Sequence, residues 1–169
     1  MSILTHNEIL KEIKKGNINI EPFIAQNVGP ASVDLILDDK FRLFKRATKI
    51  VDVTDELDYQ KISKPVKAKS IVILPGETIL GITKEKISLA PNICGWLEGR
   101  SRFARMGLMV HISAPFMQPG ISNQQVLEMS NMGHVPMRLH AGTRICQFIF
   151  QKTIGKAKYL GKFSKQKEP

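Results

Sequence analysis

GWLEGRSRFARMGLMVHISAPFMQPGISNQQVLEMSN, residues 95–131, is the stretch on which the reading of the fold turns. Pro115, Pro119 and Gly120 punctuate its middle, so residues 111–120 are predicted as a turn between strands rather than a helix. In the strand expected over residues 125–129, Val126 and Glu128 point to one face and Leu127 and Met129 to the other. Glu128 then sits among apolar residues, where a carboxylate is ion-paired or functional because a bare buried charge is costly. Upstream, Gly99-Arg100-Ser101-Arg102-Phe103-Ala104-Arg105 joins a permissive glycine to residues of fair helix propensity. A short helix is expected from near Ser101, with free N–H groups and a hydroxyl facing outward among Arg100, Arg102 and Arg105. Such an end suits phosphate; taken alone, the GRS stretch reads first as a solvated basic turn.

The flanking sequence repeats the pattern of short strands. Thr5–Lys15 is predicted as a helix, with Thr5 and Glu8 as a capping box, Ile9, Leu10 and Ile13 as its apolar stripe, and Gly16 as its stop. Residues 18–23 alternate as a strand broken by Pro22, and residues 29–37 enter a strand through a turn. Residues 41–53 carry strand-like alternation, and the charged residues 55–69 read as a surface excursion. Residues 70–89 read as a meander: a strand at 71–74, a turn at Pro75-Gly76, then strands at 79–83 and 87–89. Residues 139–150 are a glycine turn feeding a strong strand. Many short strands with little helix imply a mainly β sandwich or jelly-roll-like barrel. Two parts are expected, a β domain over 1–154 and a flexible C-terminal segment over 155–169, which is basic and nearly free of apolar residues.

With 169 residues and 43% apolar content, one domain with a real core is expected. Neither a signal peptide nor a run of eighteen apolar residues is present, so a cytoplasmic protein with no membrane partner is expected. Cys94 and Cys146 are isolated and read as small core residues. The net charge of +10 favours anionic partners. Nucleic acid is not expected among them, because the aromatic residues, 7% of the chain, read as core rather than as stacking platforms.

The motif-bearing stretch resembles the dCTP deaminase family of the dUTPase-like superfamily. The matching residues are Gly99–Arg105, Gly107-Leu108, His111, Ser113-Ala114, Pro119-Gly120 and Leu127-Glu128. Two positions depart from the family pattern: Arg102 stands for a usual Ser and Gln118 for a usual Asp. A GPASxDL-like segment at 29–35 includes Asp34, which either shapes the site across a subunit contact or is structural. Tyr159, Lys162 and Gln166 match a lid that closes over the nucleotide, with Phe163 replacing a common Tyr. The resemblance implies a distorted jelly-roll, or β-clip, barrel with a short N-terminal helix and a short helix near Ser101. It also implies a homotrimer with active sites between subunits, and dCTP or dUTP as ligand, with dTTP as a candidate inhibitor.

A zinc nucleobase deaminase requires a C-x-x-C, which this chain lacks. Water activation therefore falls to a carboxylate, and Glu128 is the candidate base, the role the resemblance also assigns it. Arg105 is expected to neutralise Glu128 or to form a structural ion pair. Ser101 and the Ala114 carbonyl are expected to hold the water. Arg100, Arg102 and Lys162 suit the triphosphate, and Mg²⁺ would arrive with its phosphates. His111 is expected to line the pocket, with His6, His134 and His140 exposed. Phe103, Ala104, Gln118, Val126, Leu127, Tyr159 and Gln166 complete the expected nucleotide contacts. Gln147 reads as a contact or as a plain strand residue. The favoured reaction is dCTP to dUTP and ammonia. The alternatives are a dUMP-forming bifunctional deaminase, a dUTPase, a non-catalytic nucleotide binder and a basic nucleic-acid-binding module.

Overall fold

The structure, a computed structural model, describes residues 2–45, 50–111, 113–161, 163–164 and 166–169. A helix α1 (His6–Lys14) precedes β1 (Ile18–Glu21), β2 (Val33–Ile36), β3 (Lys40–Phe44), β4 (Ser63–Lys67), β5 (Ser70–Ile73), β6 (Thr78–Leu89) and β7 (Ile93–Gly99). A one-turn helix α2 (Ser101–Ala104) leads to β8 (Leu108–Val110), β9 (Phe116–Met117), β10 (Ser122–Asn131), β11 (Met137–His140) and β12 (Arg144–Lys152). One sheet runs β4-β3-β6-β10-β8, with β1 also on β6; a second runs β2-β12-β7-β9; β5 pairs with β11. Apolar residues of both large sheets, among them Ile79, Ile87, Leu97, Leu127, Met129, Phe148 and Phe150, join one core. Burying each such side chain contributes roughly 1.5–3 kcal/mol, so the alternation that fills the core also holds the strands in register.

This is the mainly β, distorted-sheet architecture expected, with differences in detail. Residues 71–89 do not form a meander. β5 pairs with β11, not with β6, and the two segments expected at 79–83 and 87–89 merge into the single β6. The Pro75-Gly76 turn, with Gly76 at φ +80°, is thus a corner between sheets. The strand expected over 41–53 ends at Phe44, and Ile50 and Val53 lie exposed. The excursion at 55–69 is partly ordered. A 3₁₀ turn (Tyr59–Ile62) feeds β4, which pairs with β3 despite Pro65 because an edge strand tolerates a missing donor. Thr5 stands at the N-cap of α1, but its side chain makes no cap hydrogen bond, and Glu8 pairs with Lys11 instead.

The wall that carries the site depends on a bulge. Pairing of β10 with β6 jumps from Gln124↔Lys86 to Val126↔Ile82, leaving Thr83, Lys84 and Glu85 looped out of register. Side chains satisfy the displaced backbone: Gln124 Nε2 donates to Thr83 O at 2.9 Å, and Gln125 N donates to Thr83 Oγ1 at 3.0 Å.

Helix α1 is clamped to the domain by Glu12, which is buried. Asn17 Nδ2 donates to its carboxylate at 2.6 Å, and Lys152 and Lys15 approach at 3.0 and 3.4 Å. The Asn17 bond is the largest influence on its acidity. Burial opposes it, the two ammonium groups reinforce it, and the carboxyl is lowered to about 2. A lowered carboxyl stabilises the fold above its unfolded pKa, and that stabilisation is lost as pH falls toward the folded value. We expect Glu12→Gln to lower stability by roughly 2–3 kcal/mol at neutral pH. In urea titrations the deficit should shrink below about pH 4.5 and nearly vanish near pH 2; a deficit constant with pH would contradict this account.

Candidate active site

Leu127 and Met129 are fully buried, while Val126 and Glu128, on the other face of β10, are half-buried. Glu128 lies opposite Leu80, and Val126, Glu128 and Leu80 line a cavity of about 550 Å³. That volume falls within the usual range for small-molecule sites. His111, Ala114, Gln118, Tyr159 and Gln166 line the same cavity.

The His111 backbone sets the geometry. Its φ is +55°, in the left-handed region uncommon for a residue with a Cβ, and its N–H donates to Glu128 O at 2.8 Å. The turn carries the buried imidazole to Glu128, with Nδ1 2.7 Å from Oε2. The contact is close but poorly aligned as a hydrogen bond, and Nδ1, Nε2 and Oε2 are all buried without a well-formed one. Burial, the largest single influence on Glu128, pushes its carboxyl up; the His111 contact and charge outweigh it and leave the carboxyl below its ordinary value. Glu128 is therefore ionised at neutral pH. We expect His111→Leu to remove the two largest influences opposing burial and raise the Glu128 pKa from its native position. A ¹³C NMR titration of labelled glutamate would read the shift, and an unchanged midpoint would remove His111 as its cause.

A second cavity, of about 400 Å³, holds another part of the expected set: Arg100, Ser101 and Gln147, with Asp34 and Arg144. Arg100 Nη2 lies 3.1 Å from Asp34 Oδ2, and Nη1 donates to Arg144 O at 3.0 Å. Arg144 Nη1 lies 3.5 Å from the same Asp34 oxygen. Gln147 Oε1 accepts from Ser32 Oγ at 3.0 Å. The turn after α2 needs Gly107, which sits at φ +88°; a Cβ there would stand 2.5 Å from Gly133 N. Arg102, Ala104 and Arg105 are exposed, and among the described residues neither arginine forms an ion pair. Within the chain, the partner of Glu128 is thus His111 rather than Arg105. Phe103 packs on the core beside an apolar groove with Met106 and Val135. Leu127 lies in the core, and Lys162 lies outside the described residues.

The structure adds cavity residues that the motif did not mark. Asn123 and Gln125 are buried polar neighbours, Gln125 Nε2 donating to Asn123 Oδ1 at 2.7 Å. Their signal was present as two amides on the apolar phase of a strand. Tyr59 and Phe44 also line the cavity but come from the long excursion and the strand before it, where no local pattern points to a site. His6, His134 and His140 are exposed, and Cys94 and Cys146 are buried. His6-Asn7-Glu8 spells an H-x-E at the exposed start of α1. Among the described residues, no group of three or more His, Cys, Asp or Glu residues is placed to hold a metal ion, and no helix is long and apolar enough to cross a membrane.

Two antiparallel sheets around one core define a mainly β fold of distorted sheets, with a carboxylate cavity on the β10 wall. It is similar to the crystal structure of a 2′-deoxycytidine 5′-triphosphate deaminase from Agrobacterium tumefaciens, with a TM-score of 0.68 and 20% identity. The match covers 88% of this chain and 47% of that one, so the chain spans about half its length; at this identity the likeness concerns the fold. The family model described as dCTP deaminase-like matches residues 3–153, and the chain belongs to that family. A relative from Nocardioides sp. is 32% identical over 99% of this chain and 92% of its own. One from Methanosphaera stadtmanae is 36% identical over 89% of this chain and 79% of its own, and both are named dCTP deaminase, dUMP-forming.

Proposed function

We propose that this protein hydrolytically deaminates dCTP, with Glu128 as the proton-transfer residue and no zinc. The observation that carries the reading is a carboxylate held ionised by His111 on the wall of a nucleotide-sized cavity. Water adds at C4 of the cytosine. Glu128 takes one water proton and delivers it to ring N3, then passes the second, from the new C4 hydroxyl, to the amine. The C4–N bond breaks, C4=O forms, and water and dCTP become ammonia and the uracil nucleotide. The ligand set of a zinc deaminase is poorly supported: both cysteines are buried, and burial is the largest influence raising each thiol. Mg²⁺ belongs to the substrate, carried on its phosphates.

Ser101, expected to hold the water, lines a different cavity from Glu128. This separation supports a homotrimer in which Arg100, Ser101, Arg102 and Arg105 of one subunit face Glu128 of the next. Glu128→Gln should retain dCTP binding and lose about 10²–10⁴-fold in turnover. Mixing Glu128→Gln with Ser101→Ala subunits, each inactive alone, should restore activity by placing both native residues at some interfaces. Failure of the mixture to recover activity would place both residues in one subunit.

The proposed product is dUTP. Gln118, on the wall of the Glu128 cavity, cannot serve as the carboxylate that would activate water against phosphorus. The second reading, dUMP with pyrophosphate, is favoured by the names of the relatives. Phosphorus NMR of a dCTP reaction separates them: an intact triphosphate pattern is expected, and growth of a pyrophosphate signal would replace dUTP with dUMP as product. Deamination would be refuted by a base that stays cytosine.

A further inference from the structure

Arg42 takes no part in the chemistry above, yet it is a buried cation on β3, 7% exposed, with no carboxylate side chain paired to it among the described residues. Its partners lie at the far end of the chain and in the excursion. Nε donates to Pro169 O at 2.9 Å, Nη1 donates to Ser63 Oγ at 3.3 Å, and the guanidinium stands 5.8 Å from the centroid of the Tyr59 ring. The excursion is shaped to hold it: Ser63 Oγ donates to Tyr59 O at 2.6 Å, and Asp58 Oδ1 accepts from Gln60 N at 3.0 Å to open the 3₁₀ turn.

The segment ending at Pro169 crosses the Glu128 cavity on its way to Arg42. Tyr159 N donates to Pro119 O at 2.9 Å, Asn123 Nδ2 donates to Phe163 O at 2.8 Å, and Gln166 Nε2 donates to Gln124 O at 3.2 Å. Tyr159, Phe163 and Gln166 line the cavity from this side, and Tyr59 lines it from the excursion. A buried guanidinium stripped of one acceptor is costly, so undocking the segment is opposed at Arg42 as well as along the crossing.

We propose that Arg42, seated on Tyr59 and Ser63, is a latch that holds the C-terminal segment closed over the Glu128 cavity and so positions Phe163 and Gln166 for nucleotide binding. Arg42 is a positioning residue that touches neither substrate nor reacting atoms. The kinetic half of the test rests on the deaminase reading above; the docking half does not.

Hydrogen exchange on the full chain reads docking directly, with the peptide covering residues 159–169 as reporter and β10 as internal control. Arg42→Met keeps bulk and removes the donors. Exchange of the reporter should accelerate roughly ten- to hundredfold, the scale of a hydrogen bond to a charged group, with β10 unchanged. Arg42→Lys should recover part of the protection. A reporter exchanging at the native rate in Arg42→Met overturns the latch. Should Arg42→Met also open β10, Ser63→Ala replaces it: severalfold faster reporter exchange supports the latch, and native exchange overturns it. In kinetics, Arg42→Met should raise KM for dCTP about tenfold or more and change kcat little. In a chain lacking residues 166–169 the same substitution should change KM no further; an additional rise would show that Arg42 acts by another route. Native protein that leaves dCTP unchanged would sink the deaminase reading while the exchange result still decides the latch.

Discussion

The register of β10 against β6 is the constraint on which the rest depends. Because side chains alternate along a strand, a slip of one residue would exchange Leu127 and Met129 with Val126 and Glu128, putting a carboxylate in the core and apolar groups in the cavity. The buried pair makes that slip unaffordable. The bulge at Thr83–Glu85 lets the ladder run in register on both sides of an irregularity, with Gln124 and Thr83 satisfying the displaced backbone groups.

Given that register, the electrostatics of the cavity follow from one backbone turn. β8 delivers His111 beside β10, and its left-handed φ directs the imidazole toward Glu128. Two opposing effects act on the carboxyl, and the nearby imidazole outweighs desolvation. The arginine-bearing loop obeys a different logic. Asp34 gathers Arg100 and Arg144 at the second cavity, restraining both cations through one carboxylate.

Much of the candidate cavity's lining was legible because its signals are local. Glu128 stood out as the wrong residue for its neighbours, a judgement needing only the period of a strand. His111, Gln118 and Ala114 lay on a stretch whose prolines and glycine excluded a helix. Strand partners were not legible. The run at 71–74 followed by Pro75-Gly76 reads as a hairpin, yet β5 turns away to β11, because a turn signal marks a change of direction and says nothing of which strand receives the chain. β4 was missed for the opposite reason: SKPVK carries one strong apolar residue, and its place comes from pairing with β3 rather than from its own propensity.

The sequence by itself determined the class of structure, the phase of β10 and the chemical identity of the groups near Glu128, since alternation, turn residues and residue type are properties of short segments. Tertiary structure alone decided which of those groups meet. It put Glu128 with His111 and left Ser101 at another cavity, although the same motif stretch contains all three. It also brought Pro169 to Arg42, 127 positions away in the sequence. Contacts of that kind depend on how sheets stack and where loops return, and no pattern confined to neighbouring residues encodes them.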